Sequence, residues 1–192
     1  MSHHPEASHP GQTGLLILGL GNLLCGDDGF GVAAVQRLVH RFDVPAGARV
    51  LDGSTLGLSL LPWLTEAEDV ILVDAVRADA PPGTFVRLAG DEVAPAVHDR
   101  LSPHQVGVSD LLDGLRLLDR LPEQLVLLGL VPATIELGLE RTPAVEAGLD
   151  GLVEAVVAEA GRLGFPFHRK VADDEADPVH AADLVSAGDR RL

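Results

Sequence analysis

Three short apolar runs constrain the fold most: LLILGLG from Leu15, DVILVDAV from Asp69 and QLVLLGLVP from Gln124. A strand that is apolar at every position has both faces covered, as in a parallel sheet buried between layers of helix. The stretches between them read as helices. Val32, Val35, Leu38, Val39 and Phe42 recur at helical spacing in FGVAAVQRLVHRF, and HQVGVSDLLDGLRLLDRL is amphipathic. A final long helix lies in TPAVEAGLDGLVEAVVAEAGRLGF, with Thr142 as N-cap, Pro143 at the first helical position and Glu146 in the first turn. ARVLDGST supplies a further strand and LGLSLLPWLTEA a short helix interrupted near Pro62. GTFVRLAG follows a PPG turn and alternates like an edge strand. Alternating strand and helix predicts an α/β fold with an open, mostly parallel sheet covered by helices on both faces. A single domain over 14–165 is expected, with a flexible segment at 1–13 and a disordered tail at 166–192, both polar and poor in apolar residues.

Ligands of such sheets bind beyond the C-terminal ends of the strands. The first strand ends there in GLGNLLCGDDGFG, residues 19–31, where closely spaced glycines predict a tight turn and a close approach. Phosphate is the usual visitor, yet the loop lacks both signatures. Leu24 stands where a dinucleotide fingerprint needs its third glycine, and Asp27 and Asp28 stand where a P-loop needs Lys and Ser or Thr. Carboxylates facing phosphate oxygens in a partly dry crevice would cost several kcal/mol, roughly. A cation suits the loop better. Asp74 at the end of DVILVDAV and Asp52 at the end of ARVLDGST supply further carboxylates at strand ends, and an ionised Asp after an apolar run needs a partner or a task. In LSPHQVG, Ser102 can cap and Pro103 can start a helix, which puts His104 in a first turn where the helix dipole lowers its pKa. One neutral His with two Asp suits a divalent ion such as nickel or zinc, with positions left for a substrate.

Plainer roles compete at several of these positions. Asp27 is read as a cap of the following helix or a turn residue, Asp28 as a turn residue or a ligand, and Asp52 as part of a strand-end turn beside the cleft. Cys25 is read as a small buried apolar residue, and His40 and His98 as surface residues. A net charge of −15 opposes binding to nucleic acid or an anionic membrane. One cysteine, no secretory signal and no apolar run of about eighteen residues predict a cytoplasmic, soluble protein.

Taken in order, LGLGNLLCGDDGFG, LDGSTLG, VDAV with PPGTF, SPHQVG, and GLVP with TPAVE resemble the hydrogenase maturation endopeptidases, from about Leu15 to Phe165. The resemblance implies a doubly wound, five-stranded twisted sheet and an enzyme that removes the C-terminal extension of a nickel–iron hydrogenase large-subunit precursor after nickel insertion. It further implies that Asp28, Asp74 and His104 are the ligands of nickel, which arrives bound to the precursor. Either a carboxylate of this set, with Asp28 and Asp74 as the catalytic candidates, or a metal-activated water then performs the hydrolysis, so the enzyme is expected to be aspartic-type or metal-assisted. Many members carry Glu at the position of Asp28, one methylene longer. Gly21, Asn22, Asp27 and Asp52 are assigned to the substrate-facing loops. No nucleotide, nucleic-acid or membrane partner is expected. The competing expectation is a checkpoint protein that binds the nickel-loaded large subunit without cutting it.

Overall fold

In the computed structural model, which describes residues 13–98 and 106–171, the apolar runs become the centre of a five-stranded sheet. Its strands are β1 (Thr13–Leu20), β3 (Ala48–Ser54), β4 (Ala67–Ala75), β5 (Phe85–Ala89) and β6 (Gln124–Leu130), in the spatial order β3-β1-β4-β6-β5. All neighbours are parallel except β5, which runs antiparallel to β6 at the edge, as its alternating sequence predicts. The central strands are apolar throughout because each feeds two cores. Leu15, Ile17, Ile71 and Val73 face α1 (Phe30–Arg41) and α5 (Pro143–Arg162). Leu16, Leu18, Val70 and Leu72 face α2 (Leu61–Thr65), α3 (Val93–His98) and α4 (Val106–Leu117).

Pro62 lies in the first turn of α2, after a 3-10 turn at Gly57–Leu60, and so starts that helix rather than interrupting it. A separate antiparallel pair joins β2 (Phe42–Asp43) to β7 (His168–Arg169). This pairing, with Phe167 buried against the α1 and α5 core, carries packed structure past residue 165, where the sequence placed the end of the domain. Strands of two residues leave no periodic signal, so this pair was not legible beforehand.

The winding fixes where a site can form. From β1 the chain crosses by α1 to β3 on one side, then returns by α2 to β4 on the other side of β1. The first turns after β1 and β4 therefore diverge, and the two strand ends leave a crevice between them. No helix among the described residues is long and apolar enough to cross a membrane.

Candidate active site

The glycine loop is shaped by its own backbone. Gly21 has φ +116°, and a Cβ there would lie 1.8 Å from the carbonyl oxygen of Asp28, so both conformation and space exclude a side chain. At Gly31 a Cβ would lie 2.2 Å from the Val73 oxygen and 2.4 Å from that of Leu20, so the start of α1 can pack directly onto the ends of β1 and β4. The close approach predicted from these glycines is thus an approach of the loop to itself and to the sheet. The result is a folded-back turn, with Asp27 and Asp28 in a 3-10 segment at Gly26–Gly29, both carboxyls fully buried.

Those two carboxyls have separate tasks. Asp27 does not cap α1; its oxygens accept hydrogen bonds from Ala133 N (2.8 Å), Thr134 N (3.4 Å), Thr142 N (2.7 Å) and the Thr142 hydroxyl (2.8 Å). It therefore binds the glycine loop to the β6–α5 connection. Thr142 sits at the N-cap position as predicted, but its hydroxyl is engaged by Asp27 rather than by the helix. Two backbone bonds reinforce the tie: Gly26 N donates to Gly138 O (2.7 Å) and Gly138 N to Leu24 O (2.9 Å). Asp28 turns the other way, toward the crevice, and its Oδ2 accepts the Asn22 N–H at 2.8 Å. Asn22 is itself fixed by the Leu24 N–H donating to its Oδ1 at 2.9 Å, so it positions Asp28.

Asp74, at the end of β4, lines the same crevice and accepts a hydrogen bond from Ala75 N at 2.7 Å. Its carboxyl is pushed up to about 7, because burial, with the charge of Asp28 added, outweighs the lowering effect of the Ala75 N–H. The crevice is completed by Leu20, Gly21, Ser54, Thr55 and Val108, and its floor has room for about one water-sized group. Asp52 does not line it. Its carboxylate closes the strand-end turn by accepting from Ser54 N (3.1 Å) and the Ser54 hydroxyl (2.6 Å), and it also accepts from Gln36 at 3.2 Å. Those bonds hold Ser54 at φ +40°, an unfavourable region for serine, while its carbonyl accepts from Gly21 N at 3.1 Å. Ser54 and Thr55 thus reach the site that Asp52 was expected to reach. Their only sequence signal is their place just past a strand end.

His104 lies outside the described residues, and among the described residues no three His, Cys, Asp or Glu side chains group around a point. The donor set present is two buried carboxyls sharing a small crevice, an arrangement in which a divalent cation would relieve both desolvation and mutual repulsion. Cys25 is buried and His40 exposed, as expected.

The family model described as hydrogenase maturation protease matches residues 32–159, two-thirds of the chain, starting just past the glycine loop. The chain belongs to the hydrogenase maturation protease family. It is 37% identical over 179 residues to the hydrogenase expression/formation protein HupD of Rhodobacter capsulatus, covering 91% of this chain and 85% of that one. Similarity to the hydrogenase 2 maturation protease of Escherichia coli is 36% over 151 residues, covering 78% and 92% respectively. The fold matches the solved hydrogenase maturating endopeptidase HybD of E. coli with a TM-score of 0.78 at 34% identity, over 82% of this chain and 98% of that one. Membership in this family makes the chain an endopeptidase, and the two-carboxyl crevice lies at the switch point of its sheet.

Proposed function

We propose that the chain removes the C-terminal extension of a nickel–iron hydrogenase large-subunit precursor once nickel has been inserted. The observation that carries this reading is the pair of buried carboxyls, Asp28 and Asp74, opening to one crevice in a member of the maturation protease family. Nickel belongs to the substrate. Asp28 and Asp74, together with His104, offer oxygen and nitrogen donors to the ion the precursor carries, and docking on that ion sets the scissile bond over the crevice.

Hydrolysis then needs a proton acceptor for the attacking water. Asp74 titrates near neutrality, so a carboxylate of the pair can take the water proton as oxygen adds to the carbonyl carbon. The same proton passes to the leaving amine as the C–N bond breaks. The chemistry is thus carboxylate-assisted, in the cytoplasm where the precursor is made.

Mass measurement of the precursor encoded in the same organism, incubated with the chain with and without nickel, tests the whole reading. The expected result is loss of a C-terminal peptide in the nickel sample alone. Asp28→Asn and Asp74→Asn should each slow that loss by about a hundredfold or more. Unimpaired processing by both variants would remove these carboxyls from the mechanism, and an intact precursor that nonetheless binds would favour the checkpoint function.

A further inference from the structure

Ser54 and Thr55 reach the crevice on a turn that is pinned at several points. Leu56 N donates to Gly53 O at 3.0 Å and closes the turn over them, the Asp52 carboxylate holds the Ser54 N–H and hydroxyl, and Gly21 N donates to Ser54 O at 3.1 Å. Serine at φ +40° is a conformation that these contacts impose, and backbone strain of this kind clusters at functional sites. The Ser54 hydroxyl is already engaged, donating to Asp52 at 2.6 Å. Thr55, by contrast, is exposed, and among the described residues no hydrogen bond engages its hydroxyl.

No other side chain among the described residues of the crevice offers such a donor. Leu20 and Val108 are apolar, Asp28 and Asp74 are acids, and Gly21 has no side chain. Addition of water to a peptide carbonyl moves negative charge onto the carbonyl oxygen, and here that charge grows beside two carboxyls. A neutral O–H donor fixed in the same crevice meets the charge without having to reorganise as it develops. Threonine suits the task, because branching at Cβ leaves its hydroxyl few directions and the closed turn restrains the backbone that carries it.

We infer that the Thr55 hydroxyl donates a hydrogen bond to the carbonyl oxygen of the scissile peptide, one that strengthens as the tetrahedral intermediate forms, which makes Thr55 a catalytic residue beside Asp28 and Asp74. This rests on the protease reading and deepens it by naming the group that stabilises the developing oxyanion. The hydroxyl keeps its proton throughout. Water supplies the oxygen that adds to the carbonyl carbon, a carboxylate of the pair takes the water proton, and that proton departs with the leaving amine as the C–N bond breaks.

The test is processing of nickel-loaded precursor by the full chain carrying Thr55→Val, which keeps the shape of the side chain and removes its hydroxyl. The side chain is exposed and its hydroxyl holds nothing together among the described residues, so the melting curve should be unchanged. kcat should fall by about a hundredfold with KM within about twofold, since a donor to the oxyanion acts on the transition state rather than on the bound substrate. Thr55→Ser, which returns the hydroxyl, should recover most of that loss, to within about fivefold of the original rate. A wild-type kcat in Thr55→Val overturns the assignment and gives the oxyanion to another donor or to the ion. A raised KM at unchanged kcat overturns it by making Thr55 a binding contact, and equal losses in Thr55→Val and Thr55→Ser overturn it by tracing the effect to shape. A wild-type chain that leaves nickel-loaded precursor uncut instead overturns the protease reading.

Discussion

Asp74 sits in an environment that opposes its charge. Its carboxyl titrates near 7 in the folded chain against an ordinary 3.8, because burial and Asp28 both disfavour the ionised form. The usual sign for a folded-state carboxylate is therefore inverted. Below about pH 4 the group is protonated whether folded or not and has no effect. Between about 4 and 7 ionisation favours the unfolded chain, and above 7 the penalty is complete, on the order of 4 kcal/mol at about 1.4 kcal/mol per unit. Asp74→Asn should accordingly raise the urea midpoint in the presence of a chelator at pH 8.5, by less at pH 5.5; equal gains at both values would refute the assignment. Asp74 was legible in the sequence because a charged residue closing an apolar run is conspicuous. The role of Asp27 was not, since its partners lie 106 to 115 positions away and only the fold brings them near. Glycine misled for a related reason: spacing reveals that Gly21 and Gly31 need room, but not that their neighbours are Asp28 and Val73.

Among the elements, two sets of polar contacts invite comparison by size. Asp27 is fully buried and accepts hydrogen bonds from backbone N–H groups of the β6–α5 connection, so Asp27→Asn places an amide NH2 against donors. A loss of about 2–4 kcal/mol is expected from urea denaturation, with processing impaired even where the chain remains folded. The second set joins α1 to α5 through Arg37 with Glu146 and Asp150, and Arg41 with Asp150. Glu146 and Asp150 are largely open to water, and Arg37 is held above its ordinary value by those same contacts. Solvent screening dominates there, so Arg37→Met should cost under about 1 kcal/mol; a cost as large as that of Asp27→Asn would overturn this ranking. Helices and buried strands were legible because each has its own period. The β6–α5 connection has none, and its fixed shape comes from Asp27 in another loop.

For the whole molecule, one sheet serves two hydrophobic layers, so neither layer can melt alone without exposing a face of β1 and β4. Trp63, the chain's one tryptophan, belongs to α2 and stacks under Arg49 at 4.9 Å, which makes it a reporter of the second layer. Leu149→Ala lies in the first layer and should cost about 2–5 kcal/mol. Its shift should appear equally in Trp63 fluorescence and in far-UV circular dichroism; separated transitions would mean the layers unfold independently. The alternation of strand and helix made this architecture readable, whereas the crevice walls at Ser54, Thr55 and Val108 depended on strand order, which no local pattern encodes. The Asp27 tie also imposes an order in time. Asp28 is made early in synthesis, but its loop is anchored by Ala133 and Thr142, which leave the ribosome more than a hundred residues later. A growing chain therefore carries these acidic residues before their loop has its anchor, and the loop takes its final shape only after Thr142, about three-quarters of the way along the chain, has been synthesised.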